Sequence, residues 1–127
     1  MKWFQATAYG WDVYVFVFAN RRTFRRSYMN YVKHVRPGLC RAIAACATYK
    51  KGVRRVDLYF SKEDLKYEGI AHECYHAVEQ MARERRRTHK RCGEEWRATC
   101  HGEMVDFILL RMSRAGLQVR HSSTDWT

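Results

Sequence analysis

The pattern of apolar and polar positions divides the chain into short, well-marked segments. Residues 13–19, Val-Tyr-Val-Phe-Val-Phe-Ala, are β-branched and aromatic without alternation, which predicts a strand buried on both faces. A further strand is expected over residues 1–9. Phe24, Tyr28, Tyr31, Val32 and Val35 recur at helical spacing, so Thr23–Val35 reads as a helix that Pro37-Gly38 stops. Cys40–Tyr49 reads as a strand: its alanines favour helix, but the run is short and closes on a Lys50-Lys51-Gly52 turn. Beyond that turn Val56, Leu58 and Phe60 alternate with Asp57 and Tyr59. Val53–Phe60 is therefore a half-buried strand, in a hairpin with the one before it.

Ser61-Lys62-Glu63-Asp64 has the form of a capping box, with Asp in the third position after Ser. It predicts a helix running to about Arg86, with Gly69 as a place where it could break. Arg87–Gly93 is a loop. A last helix is expected from Glu94 to Ala115, with Gly116 as its stop. Helices and strands together give an α+β domain over residues 1–120, followed by a flexible tail, residues 121–127.

Composition narrows the class. The 127 residues are 46% hydrophobic and 14% aromatic, enough for a packed core and too much for a disordered basic tail. The longest purely apolar run, Val13–Ala19, is far shorter than the roughly 18–20 residues that span a bilayer. The opening MKWFQATAYGWD lacks an apolar leader with a small-residue cleavage site. The five cysteines are odd in number and include no CxxC pair, so reduced thiols in a cytoplasm are expected. Lys plus Arg number 24 against 13 Asp plus Glu, a formal charge of +11. The cations cluster in Arg21–Arg26, Lys50–Arg55 and Arg83–Arg91. Nucleic acid and acidic protein surfaces are the partners such clusters suit; with no run long enough to span a bilayer, no membrane partner is expected.

The segment that carries chemistry is His72-Glu73-Cys74-Tyr75-His76, an HExxH motif. Residues four apart share a helix face, so both imidazoles can reach one metal ion, and neutral imidazole suits Zn2+. Glu73 lies about 100° further round the helix, off the metal but within reach of a metal-activated water. Ile70, Cys74, Ala77, Val78 and Met81 form a separate apolar stripe, so the two histidines are not core residues. A catalytic zinc site ordinarily has three protein ligands. On the last helix Glu95, Ala98, Gly102, Val105, Leu109 and Met112 share a face whose later members are apolar. Glu95 thus opens the stripe expected to face the core, where a carboxylate is costly unless a metal satisfies it. It is the favoured third ligand, with Cys92, His101, Glu94 and His89 as alternatives.

HECYHA followed by GEEWRATCHGEM resembles the glutamate-zincins, in particular the short versions encoded by bacteriophages. In those a strand ending in an aromatic residue and Ser precedes the HExxH helix, and a following helix opens with Glu-x-x-Ala. Here the parts read VDLYFS, GIAHECYHAVEQM and Glu95-Trp96-Arg97-Ala98. The resemblance covers residues 53–112. It implies a zincin-like fold and a zinc metallopeptidase, with His72, His76 and Glu95 binding zinc and Glu73 as catalytic base. For a phage-encoded protein the compartment is the host cytoplasm. The chain is also similar to the SprT/Spartan-type proteases, which act on protein crosslinked to DNA and place a third His in an HGxxW-like segment. Here that segment reads Cys92-Gly93-Glu94-Glu95-Trp96, with Cys in place of His; cysteine also ligates zinc.

Three readings therefore stand side by side: a zinc peptidase, a zinc-dependent protein acting at nucleic acid, and an inactive zincin that uses its metal for folding. For the first, the strand Val53–Phe60 is expected at the cleft, holding an extended peptide by strand addition. Tyr59, Tyr75, His89 and His101 are the candidate oxyanion stabilisers. Cys74, on the core stripe, is expected to be inert.

Overall fold

A computed structural model describes residues 2–8, 10–27, 45–49, 54–87 and 93–121. Strand β1 spans Lys2–Ala8, β2 Trp11–Phe18, β3 Ala45–Tyr49 and β4 Arg55–Ser61. Residues 21–27 are helical and are called α1. Helix α2 spans Tyr67–Arg87 and α3 Glu94–Arg114. The domain is α+β, as its element pattern predicts.

The four strands form one mixed sheet in the order β1-β2-β4-β3. A turn at Gly10, whose φ of 79° suits glycine, folds β1 back antiparallel on β2. β3 and β4 pair antiparallel, the expected hairpin. β4 then enters the sheet parallel to β2. Val13 pairs with Val56, Val15 with Leu58 and Val17 with Phe60. Because side chains alternate across a strand, these six lie on one face, and all are buried in the main core. The opposite face of β2 is not fully buried as predicted. It carries Tyr14 and Phe16, both half-buried, and Phe16 stacks on Tyr59 with ring centroids 5.2 Å apart. Phe18 and the fully buried Phe24 of α1 meet edge to face on this side.

Two boundaries differ from expectation. Ser61 caps only a short 3-10 turn, Lys62–Asp64, with no side-chain cap hydrogen bond. α2 starts later, at Tyr67, because backbone groups just before it are taken by the chain's end. Arg120 N–H donates to the Leu65 carbonyl (3.0 Å), and Tyr67 N–H donates to the Arg120 carbonyl (2.8 Å). Gly69 then sits inside an unbroken helix. α3 ends as predicted, at Gly116 with φ 75°. The second correction concerns β4. It is hydrogen-bonded on both sides, by β2 and by β3, so it has no free edge on which a peptide could add. Among the described residues that edge belongs to β3, which packs against α2. Residues 28–44, 50–53, 88–92 and 122–127 lie outside the described residues. They include most of the expected helix Thr23–Val35, its Pro37-Gly38 stop, the Lys50-Lys51-Gly52 turn and most of the tail.

α2 and α3 cover the valine-rich face. Ile70, Cys74, Ala77, Val78 and Met81 of α2 are all buried there, the stripe read from spacing. No helix among the described residues is long and apolar enough to cross a membrane. Leu58, fully buried at the centre of the sheet, tests the packing. Leu58→Ala is expected to lower unfolding free energy by about 2–5 kcal/mol, read from urea denaturation; a loss below 1 kcal/mol would contradict a close-packed centre.

Candidate functional site

Helix α2 has three kinds of position within one turn. Cys74 and Ala77 face the sheet and are buried. His72 and His76, one turn apart, are exposed. Their Nε2 atoms stand 3.0 Å apart, and their rings are nearly perpendicular with centroids 4.7 Å apart. Two nitrogens on one tetrahedral zinc, each about 2.0–2.1 Å from it, would stand about 3.3–3.4 Å apart. The pair therefore needs to open by only a few tenths of an ångström to share an ion. Burial, and then the nearness of His72, hold the His76 imidazolium below its ordinary pKa, which favours the neutral ring that a metal requires.

Glu73 lies between these faces. It is 7% exposed, one of two buried polar residues among those described. Burial raises its carboxyl to about 7. A carboxyl in that range accepts and returns protons near neutral pH, as a general base must. Burial, with the charge of Glu73 second, pushes the Cys74 thiol up to about 12. That thiol is unpaired and buried, which fits the expected inertness.

α3 turns differently from its predicted stripe. Its buried residues are Cys100, Met104, Val105, Ile108 and Met112. Ala98 and Gly102, counted into the stripe, are exposed, and so is Glu95. Cys100, Met104 and Ile108 offer more apolar surface than Ala98 and Gly102, and burial follows area. Glu95 therefore stands in solvent in the first turn of α3 and opens no core-facing stripe. The structure brings His72 and His76 together but does not bring Glu95 to them. Among the described residues no group of three or more His, Cys, Asp or Glu is arranged to hold a metal ion. Of the other candidates, Cys92 and His89 lie outside the described residues, Glu94 is exposed, and His101 is half-buried.

Among the α3 residues that meet α2 are Trp96, under the Arg85 guanidinium, Arg97 and His101; spacing did not single out Arg97. Arg97 Nη1 donates to Glu79 Oε1 at 3.1 Å. His101 Nε2 lies 2.8 Å from the carbonyl of Ala71, the residue before His72. Tyr75, the fourth residue of the motif and 53% exposed, lines one pocket with Arg97 and His101. Its ring centroid is 5.9 Å from that of His76 and 6.4 Å from that of His101. Of the expected oxyanion stabilisers, Tyr75 therefore neighbours His76, and His101 neighbours Tyr75. Tyr59 lies on the sheet face that stacks Phe16 and Phe18. His89 lies outside the described residues. The signal for His101 was its place four residues before Val105. Beside Tyr75 a pocket of about 320 Å³ opens between α2 and α3.

Comparison with family models, with curated proteins and with solved structures finds no match.

The burial of Glu73 has a pH signature. Its folded pKa of about 7 exceeds the ordinary 4.5, so the carboxyl favours folding least when ionised. In metal-free protein its cost is absent below about pH 4.5, grows as pH rises to about 7, and then persists, at roughly 3 kcal/mol. Glu73→Gln is therefore expected to raise the melting temperature of metal-free protein at pH 8 and to leave it nearly unchanged at pH 4.5. Equal shifts at both pH values would show that the carboxyl is not desolvated.

Proposed function

We propose that the chain is a zinc-dependent metallopeptidase of zincin-like fold that hydrolyses peptide bonds. The observation that carries this reading is the single turn of α2 in which two exposed imidazole nitrogens stand 3.0 Å apart beside a buried carboxyl. A structural role for the histidines would place them in the core; here the apolar stripe is elsewhere, and the imidazoles face solvent where substrate can reach them.

His72 and His76 would hold the ion through Nε2. The resemblance of Glu95-Trp96-Arg97-Ala98 to the second motif of the glutamate-zincins would make Glu95 the third ligand, which requires the first turn of α3 to move toward the pair. Being exposed, Glu95 has no burial cost that a metal must offset. Zinc held by these residues would supply a water of lowered pKa and a Lewis acid for the scissile carbonyl. Glu73 takes the proton of the attacking water and delivers it to the leaving amine, a shuttle for which a carboxyl near pH 7 is suited. Tyr75, whose ring neighbours that of His76, and His101, which neighbours Tyr75, would be the groups to steady a developing negative charge. An extended peptide would run along the outer edge of β3, the sheet edge that packs on α2, where main-chain hydrogen bonds hold it independently of sequence.

Cleavage of a mixed-sequence fluorogenic peptide library by zinc-loaded protein tests the reading. Activity is expected to be lost on chelation, and Glu73→Gln is expected to reduce it about 10²–10⁴-fold while leaving the fold intact. Cleavage that survives chelation, or a Glu73→Gln chain as active as the parent, would refute it.

A further inference from the structure

We propose that the pocket between α2 and α3 receives a cationic side chain, that of lysine or arginine, from the peptide bound at the HExxH site. This rests on the peptidase reading for what brings the side chain there. Position is the first argument. Tyr75 is both a wall of the pocket and the ring next to His76, so a peptide laid across the two histidines passes the pocket mouth. Size is the second. About 320 Å³ is at the small end of ligand pockets, which run from about 300 to 1,000 Å³. It suits one long side chain rather than a whole ligand.

Chemistry chooses among side chains. Val78 and Ala98 join Tyr75 in the lining, an apolar sleeve for the methylene stem that lysine and arginine bury while their charge stays near water. The face of Tyr75 can also attract a cation. Among the described residues of the lining the one cation, Arg97, is held by Glu79 at 3.1 Å, so the two largely cancel. Glu94 lines the pocket as well, is exposed, and makes no ion pair or hydrogen bond among the described residues. The described lining thus carries one carboxylate without an ion-pair partner, on a chain of net charge +11. At physiological salt, charges more than about 8 Å away are screened. The described lining, with Glu79 and Glu94 against Arg97, therefore favours a cationic side chain over an acidic one.

Three blocked tripeptides, acetyl-Ala-X-Ala-amide with X as Arg, Leu or Glu, test this when titrated into the full chain and followed by two-dimensional NMR. The Arg peptide is expected to move the Tyr75, Val78 and Ala98 resonances and to bind about three- to fivefold more tightly than the Leu peptide. The Glu peptide is expected to bind most weakly, and Glu94→Gln to remove the Arg advantage. Equal or tighter binding of the Leu or Glu peptide would overturn the proposal. So would an Arg advantage that survives Glu94→Gln, or resonances that stay fixed with all three. The titration needs neither zinc nor cleavage. A chain that shows the Arg preference but hydrolyses nothing would sink the peptidase reading and keep the pocket; one that cleaves all three alike would do the reverse.

Discussion

Helix α2 has to bury one face against the sheet and present two imidazoles on another, and Glu73 lies where the two requirements meet. The helical period leaves no choice in this. With Cys74 and Ala77 turned inward, His72 and His76 must turn outward, and the residue between the two faces is drawn into the low-dielectric margin of the core. A carboxyl there is costly to ionise, and the same burial brings its pKa into the range where proton transfer is useful. Stability and the proposed chemistry are thus opposed at one residue, as a trade-off between stability and activity would have it for a reactive site.

The rest of the fold holds that helix in register. The strand β4 delivers the chain to α2 through Leu65, which is fully buried. Residues 117–121 return across the structure to fasten the start of α2: Arg120 exchanges backbone hydrogen bonds with Leu65 and Tyr67, its guanidinium donates to the Glu63 carbonyl, and His121 stacks on Tyr67. On the other side α3 is tied to α2 by Arg97 with Glu79 and by His101 with the Ala71 carbonyl. Those bonds cross from α3 to either side of the HExxH turn. Arg21 makes a paired contact with Asp64 at 2.8 and 2.6 Å and holds that carboxyl below its ordinary range, anchoring α1 to the turn that leads into α2.

What could be read in advance follows the range of the forces involved. The stripe Ile70, Cys74, Ala77, Val78, Met81 and the stop at Gly116 are local and were legible, as were the β3–β4 hairpin and the outward turn of the two histidines. The parallel pairing of β2 with β4 is not local: nothing in Val56-Asp57-Leu58 indicates that β2 will be its neighbour, and so β4 was expected to offer an edge that it lacks. The late start of α2 depends on Arg120, far along the chain. The rotation of α3 turned on a small misjudgement of area, in which Ala98 and Gly102 were counted as core and Cys100 and Met104 were not. That misjudgement is what placed Glu95 facing inward. The motif itself was plain in the sequence; the pocket beside it, made by two helices packing, was not.

The most direct test of the account is the metal content of the purified, untagged chain by mass spectrometry, after zinc is supplied and excess is removed. The account predicts about one zinc per chain, lost in His72→Ala and in His76→Ala while the fold, followed by circular dichroism, is kept. Zinc retained in both variants, or none bound by the parent chain, would contradict it and leave the paired imidazoles of α2 without a metal to share.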